Sequence, residues 1–575
     1  MKIIDIVKAL LPDGTDGTSF LQLKPEKRPE KNNVKRCPIW PPDLFAVTGT
    51  LIERSGCYTL AGPDPSQPTA HRTYLADVKT VVEEWAGNVA GLFITPKRVD
   101  DLWAVIIGAH GQTQISDVCA SADLVDALLR LFAYADEACK GMGWDNQIGT
   151  SIFSDLALLS FLPDIKLPPT VPRLPYAPNS LCALVPPTEA TVMPKTLTAT
   201  VGCTIRSLSH HLALLPGLPL CRTEWAITNE WEHFDEYKPI RLMVIPFPYS
   251  IPSESFVRAL EPEHLTEGNW TAAYFGLEQQ WLISRDGKSV TAKMLFNELI
   301  KPLLAKDRAR TESVPTGIIM PECALSERLA DELALLLRKT DVSFFTTGIL
   351  KIDPITQKKR NVAKTYVLHP RKQPIALEQY KHHRWRLDRT QCEQYGLDFQ
   401  RLSKADKWWE QIDVSERKLP FFALRKDMSM TVLICEDLAR NDPAMAIVRA
   451  IGPNLVIALL MDGPQLGSRW PGRYATVLGE DPGSGVLSVT CAAMVDRSND
   501  SWSGERKRII GLWRSENGPG KEIGLAPGDH AVVLNIHSRL VLQHTLDNRS
   551  DDYGSHKLSL GKTTSIKLDS PPKWL

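Results

Sequence analysis

The chain has 575 residues with 67 basic and 67 acidic side chains, so the length predicts several compact units, and the even balance excludes a bulk electrostatic pull toward nucleic acid or membrane. Its 11 cysteines are an odd number with no Cys-x-x-Cys pair, which argues against a disulfide framework and a zinc ribbon and fits a reducing cytoplasm. The opening Met1-Lys2-Ile3-Ile4-Asp5 carries an early acid with no long apolar core behind it, and no stretch approaches a membrane span.

In chain order, the first part reads as an α-rich or mixed module. Leu75, Val78, Val82 and Trp85 recur at helical spacing, as do Leu124, Leu128, Leu131, Phe132 and Ala135 behind a Ser121 cap. Inside the second helix, Phe132-Ala133-Tyr134-Ala135-Asp136-Glu137 superficially resembles the Tyr-x-Asp-Asp of reverse transcriptases. That chemistry needs paired aspartates in a hairpin to hold two metals, so a helical setting with a glutamate second excludes it. Prolines then crowd Pro163 to Pro194, which forbids a continuous helix and predicts an extended connector. Between Leu197 and Leu215 stand His210 and His211. Adjacent histidines point in different directions, so the pair by itself predicts no metal site.

From Arg241 onward, strand and helix signals alternate as in an α/β unit. Arg241 to Pro246 reads as a first strand; Val290, Met294, Leu295 and Leu299 mark a helix. The short apolar run Thr316 to Met320 then ends in Pro321-Glu322, and Leu325, Leu329, Leu333 and Leu336 mark the helix after it. The extended run Val362 to Leu368 precedes Gln379-Tyr380-Lys381-His382-His383, and Met430 to Ile434 is a buried-type strand that delivers Cys435 to its tip. Leu455 to Leu460 reads as the next strand, Trp470 to Leu478 as a helix with Pro471 in its first turn, and Gly485 to Asp496 as another strand. A lone cysteine on an apolar strand is ordinarily a small buried hydrophobe, a glutamate after a strand a solvated loop residue, and a lysine beside histidines a surface charge. The three in order at strand ends carry more weight. A thiol is a poor nucleophile until a base takes its proton, which Glu322 would do, and a fixed cation at Lys381 would lower the barrier where negative charge develops on a carbonyl oxygen.

Glu322, Lys381 and Cys435, with Pro321-Glu322 and Ile434-Cys435-Glu436-Asp437 around them, resemble the Glu-Lys-Cys triad of the nitrilase (carbon-nitrogen hydrolase) superfamily, over about Pro239 to Asp551. Cys-Glu-Asp is similar to the version in glutamine-hydrolysing members, whereas Lys381-His382-His383 resembles the Lys-x-His of amidase-like ones, which leaves the branch open. The resemblance implies an α/β fold, an α-β-β-α sandwich in the C-terminal half, that pairs into homo-oligomers. It implies hydrolysis of a small-molecule amide or nitrile through a thioester, with no metal and no organic cofactor. Cys435 would be the nucleophile, Glu322 the base, Lys381 the oxyanion cation, and Glu393 the nearest match to a second glutamate that positions substrate. The expected division is an N-terminal module over 1–150, a proline-rich connector over 151–238, the hydrolase over 239–555 and a tail over 556–575. The N-terminal module would gate the hydrolase or recruit a protein partner. A nitrilase-like half behind a long unrelated half is also similar to modules associated with some bacterial defence reverse transcriptases, which implies antiviral defence. The alternative is a catalytically silent nitrilase fold that binds a small amide or a partner.

Overall fold

The computed structural model of the protein describes residues 1–15, 32–91, 95–142, 180–217, 220–227, 238–259, 273–284, 286–399, 405–425, 428–500, 506–516, 518–550 and 554–575. In the N-terminal part, helices Ile3–Leu10, Pro41–Ser55, Pro68–Gly91, Lys97–Ala104 and Ala122–Ala138 pack around one apolar cluster. The Ala122–Ala138 helix buries Leu124, Leu128, Leu131 and Ala135, the stripe its periodicity predicts. Ser121 stands at its N-cap position, but the hydroxyl donates to Asp123 (2.6 Å) instead of taking a backbone N–H. In Pro68–Gly91 the buried face is Val78, Val81 and Trp85, with Val82 only half-buried.

The acidic end of the Ala122–Ala138 helix is a structural device. Asp136 is fully buried and accepts the backbone N–H groups of His210 (2.7 Å), His211 (3.0 Å) and Leu212 (3.0 Å). A buried carboxylate is tolerable when several donors and a cation satisfy it, and the Arg549 guanidinium completes the set at 3.1 Å from Asp136 and 2.6 Å from Glu137. The two histidines are absorbed in the same knot: His210 meets the Thr198 hydroxyl (2.9 Å) and the Arg549 carbonyl (2.9 Å), and His211 lies 3.5 Å from Glu137. Among the described residues, no group of three or more His, Cys, Asp or Glu side chains is placed to hold a metal ion.

Of the expected connector, residues 151–179, 218–219 and 228–237 lie outside the described residues, as does Asp551. From Ser180 onward the chain does not stay extended over a surface. Leu181, Val185, Val192 and Leu212 enter the N-terminal cluster, and β1 (Ala190–Pro194) pairs antiparallel with β2 (Leu212–Pro216). The N-terminal core is therefore completed from residues 181–212, because apolar side chains between the prolines gain more from burial than from water. A fragment of residues 1–142 loses that cover and every backbone partner of Asp136. It is expected to show no cooperative thermal transition; a sharp melt with native near-UV dichroism would show that the helices close their core unaided.

The remainder builds two facing sheets. In the first, β4 (Ile240–Val244), β7 (Gly317–Ile319) and β9 (Phe344–Ile352) run parallel, with the short β8 (Leu325–Ser326) also on β9. Antiparallel β10 (Lys359–Val367) and β11 (Ile375–Tyr380) extend one side, β20 (Ala531–Val541) and β21 (Ser555–Ile566) the other. In the second, β15 (Met428–Ile434), β16 (Leu455–Leu460) and β17 (Gly485–Thr490) are parallel, flanked by β14 (Lys418–Arg425) and β3 (Arg222–Ile227) and by β18 (Ile509–Arg514) and β19 (Lys521–Gly524).

Side-chain alternation assigns the layers. Leu242, Val244 and Leu534 meet Val432, Ile434, Ile457 and Val489 between the sheets. Met243, Ile318 and Val533 point outward onto helices Lys301–Thr311 and Glu327–Leu337, while Leu433, Val456 and Leu460 point outward onto Ala446–Ile451 and Trp470–Glu480. The architecture is the α-β-β-α sandwich, and its central strands read as continuous apolar runs because both faces are covered. No described helix is long and apolar enough to cross a membrane.

Three expectations change. The strand expected over Gly485 to Asp496 stops at Thr490, and helix Ala492–Asp500 follows, since Cys491-Ala492-Ala493-Met494 lacks the β-branched residues that hold a strand. Residues 556–575 are not a loose tail: β21 covers β20, which would otherwise be an open edge. Leu325 belongs to β8, and the buried face of the next helix is Leu329, Leu333 and Leu337, with Leu336 half-buried. A four-stranded side sheet of β5 (Phe256–Arg258), β6 (Ala273–Leu277), β12 (Arg386–Asp388) and β13 (Lys407–Glu410) has no counterpart in the sequence reading.

Candidate active site

Two sharp turns at the ends of facing sheets set up the site. Cys435 is the first residue after β15 and sits at φ +47°, in the left-handed region that side chains with a Cβ rarely adopt. Cys323, directly after Glu322, sits at φ +54° in the turn between β7 and β8. Non-glycine residues held in this region are over-determined by their surroundings. Glycine at 348 makes the second turn possible. A Cβ there would lie 2.4 Å from the Cys323 nitrogen and 2.5 Å from the Glu322 Cα, a clash with backbone that only displacement relieves. Gly348→Ala is therefore expected to cost about 1–3 kcal/mol of stability by displacing the backbone at Glu322. Thermal melting checks it; an unchanged melting temperature would mean that the turn accommodates a Cβ without strain.

Glu322, Lys381 and Glu410 are all buried, at 2%, 1% and 5% exposure. The Lys381 ammonium donates to Glu322 Oε1 (2.8 Å) and to Glu410 Oε2 (2.6 Å), and the Asn361 amide on β10 donates to Glu322 Oε1 (2.8 Å) and Glu410 Oε1 (3.0 Å), closing a ring. The Trp385 N–H holds Glu410 Oε2 at 3.1 Å. Glu322 Oε2 is buried and has no hydrogen-bond partner among the described residues. An ammonium has three protons, so two carboxylates leave one for another acceptor.

Electrostatics follow from this packing. Burial pushes the Glu322 carboxyl above its ordinary value, opposed by Lys381 and reinforced by Glu410. Burial by itself would lower the Lys381 ammonium, yet Glu322 and Glu410 outweigh it and hold the group well above the usual lysine range. Burial also drives the Cys435 thiol well up; Glu322 adds to the rise, and Lys381 pulls the other way. The resting thiol is neutral and needs a base.

Asp437, two residues past Cys435, ties the strands together. It is fully buried and accepts the backbone N–H groups of His382 (3.1 Å) and His383 (3.1 Å) and the Gln379 amide (3.1 Å), so it anchors the segment that carries Lys381. Burial pushes its carboxyl up to about 7, against the pull of the His382 N–H. His382 is itself lowered to about 4 by burial, which keeps it neutral at pH 7.

The thiol opens into a cavity of about 240 Å³ walled by Trp385, Tyr395, Glu436, Asp462, Arg469 and Trp470, among others; Glu322 and Lys381 are not part of its wall. The structure thus gathers Glu322, Lys381 and Cys435 and leaves Glu393 out. Glu393 is exposed on the short helix Arg389–Gln394, and the position beside the lysine is taken by Glu410. Sequence reading missed Glu410, Asn361 and Asp437. Glu410 had a signal, since Lys407-Trp408-Trp409-Glu410 is a short strand ending in glutamate, the same signature as Glu322.

No family model matches the sequence, and no curated protein matches it. Among solved structures the chain is similar to Nit3 of Saccharomyces cerevisiae, a member of branch 10 of the nitrilase superfamily, at 12% identity and a TM-score of 0.30, over 51% of this chain and 88% of that one. It is also similar to XC1258 of Xanthomonas campestris, a CN-hydrolase superfamily protein with an arsenic adduct in its active site, at 10% identity and a TM-score of 0.26, over 57% and 91%. A third is the glutamine-dependent NAD+ synthetase of Acinetobacter baumannii, at 13% identity and a TM-score of 0.25, over 41% of each chain.

Proposed function

We propose that the sandwich is of the nitrilase type and that the chain is a cysteine hydrolase, cleaving a non-peptide carbon-nitrogen bond of a small amide or nitrile through a thioester. The observation that carries this reading is the ring of Glu322, Lys381, Asn361 and Glu410, which leaves one buried Glu322 oxygen and one lysine proton uncommitted close to a thiol on a strained turn. For an amide, Glu322 Oε2 takes the thiol proton as Sγ bonds to the carbonyl carbon. The π electrons move to oxygen, and the oxyanion takes the third Lys381 N–H. Collapse of the tetrahedral species re-forms the carbonyl and breaks the carbon-nitrogen bond, and Glu322 hands its proton to the departing nitrogen, releasing ammonia or an amine. Water then gives a proton to Glu322 and attacks the thioester; the acid leaves, and the thiol regains its proton.

Glu410 and Asp437 are positioning residues, the first for the ammonium and the second for the segment that carries it. The scheme uses no metal or organic cofactor. A cytoplasmic setting would keep Cys435 reduced. Homo-oligomerisation, an N-terminal unit that gates the hydrolase or recruits a protein partner, and a role in bacterial antiviral defence are part of the same proposal. The test is intact-protein mass spectrometry with ammonia detection across a panel of small amides and nitriles. An acyl adduct mapped to Cys435 together with released ammonia supports the enzyme, whereas selective binding with neither signal supports the catalytically silent fold.

A further inference from the structure

Asn361, in β10, is 1% exposed and stands between the two glutamates of the ring. Its backbone carbonyl accepts the Lys381 N–H (2.9 Å), so the main chain holds the lysine segment whatever side chain stands there. The amide Nδ2 has two protons and commits both, one to Glu322 Oε1 (2.8 Å) and one to Glu410 Oε1 (3.0 Å). The opposite orientation of the amide would set its oxygen against two carboxylate oxygens. Nδ2 therefore faces the ring, even though Oδ1, also buried, has no partner among the described residues.

The amide makes the two carboxylates unequal. Glu410 has donors on both oxygens, Asn361 on Oε1 and Lys381 with the Trp385 N–H on Oε2. Glu322 has both of its donors, Lys381 and Asn361, on Oε1 and none on Oε2 among the described residues. Donors on the charged form make a carboxylate a weaker base. Without the amide, each glutamate would be tied to Lys381 by one oxygen and open at the other. We infer that Asn361 decides which glutamate is the base: its amide closes the last open oxygen of Glu410 and fixes Glu322 by the oxygen opposite the one that takes the proton. It is a positioning residue, since it acts through the two carboxylates. The inference rests on the hydrolase reading above and deepens it.

Lys381, Glu410, Cys435, Cys323 and Cys491 act electrostatically with Glu322. The ammonium and the three thiols are held above the range in which a carboxyl titrates, Cys491 at about 12. Asp437, at about 7, accepts from Gln379, His382 and His383 and not from Asn361, so it contributes alike to the parent and to variants at position 361.

The probe is iodoacetamide, whose reaction needs no knowledge of the substrate: Sγ bonds to the methylene carbon, iodide leaves and the thiol proton passes to Glu322. The rate is followed from about pH 5 to about pH 9. It is read on the peptide that carries Cys435, because Cys119 and Cys203 are exposed and react as well. In the full-length parent the rate should fall along an acid limb that vanishes in Glu322→Gln and persists in Glu410→Gln. Asn361→Leu takes a donor from both carboxylates, so the limb should move to higher pH and the rate on its acid side drop about 10-fold. Asn361→Asp adds a third carboxylate to the ring and should move the limb further. Both replacements keep the outline of asparagine, so a residue that only fills space would leave both at the parent rate. An unmoved limb in either folded variant, or a limb lost in Glu410→Gln as it is in Glu322→Gln, overturns the inference. The Glu410 arm leaves position 361 intact, so it decides even where the variants at 361 fail to fold. A parent with no limb, or a limb that survives Glu322→Gln, removes Glu322 as the base and takes the hydrolase reading with it.

Discussion

Cys435→Ala is expected to lower ammonia release by about 10⁴-fold or more while leaving the fold in place. The thiol is the only protein group in the scheme that forms a bond to carbon, and without it the remaining ring can polarise a carbonyl but cannot build a thioester. The cost to stability should be small, about 1 kcal/mol or less, because alanine is no worse placed than cysteine at a φ of +47° and only one sulfur is removed. Cys435→Ser is the sharper control: it keeps an oxygen near the position of the sulfur, but a hydroxyl is a far weaker acid than a thiol, so Glu322 cannot activate it and turnover should stay near that of the alanine variant. Adduct formation must vanish in both. An alanine variant that releases ammonia at the parent rate would refute the assignment of the nucleophile, whatever else the site does.

Lys381→Met is expected to have the largest combined effect, removing turnover and destabilising the protein by about 3–5 kcal/mol, the usual consequence of leaving buried charges without their partner. Glu322 and Glu410 would then face each other with only the Asn361 amide between them. The sign of the pH dependence follows. Burial already holds the Glu322 carboxyl above its ordinary value, and the lysine is what pulls it back down. Without the lysine it rises further, so between the ordinary carboxylate range and that raised value the folded variant holds a proton the unfolded chain has lost. Stability of the variant therefore falls as pH rises through that window and recovers on acidification. Melting temperatures of variant and parent at about pH 5 and pH 8 check this. A deficit that is equal at both values would mean that the two glutamates are not electrostatically coupled through Lys381. Lys381→Arg restores charge but puts a planar fork where a compact ammonium serves two carboxylates, so it should regain part of the stability and little of the turnover.

The chain by itself determined what depends on neighbours in sequence. Apolar runs such as Met430–Ile434 and Leu455–Leu460 have no stable alternative to a strand covered on both faces, and each ends where a polar residue must leave the core, which is why Glu322 and Cys435 were legible at strand tips. Lys381 was legible only through its order between them. What the sequence could not decide was which distant groups share a charge. Glu393 and Glu410 are both glutamates downstream of the lysine, and the choice between them turns on the side sheet, where β13 runs parallel to β6 and antiparallel to β12 and so brings Glu410 to the ammonium, while Glu393 is carried away on an exposed helix. The same holds for Asp437 beneath His382 and His383, for Asn361 between the two glutamates, and for the closure of the N-terminal core by residues 181–212. Local periodicity fixes the face a side chain presents; its hydrogen-bond partner is set by strand register and sheet order, which only the assembled structure contains.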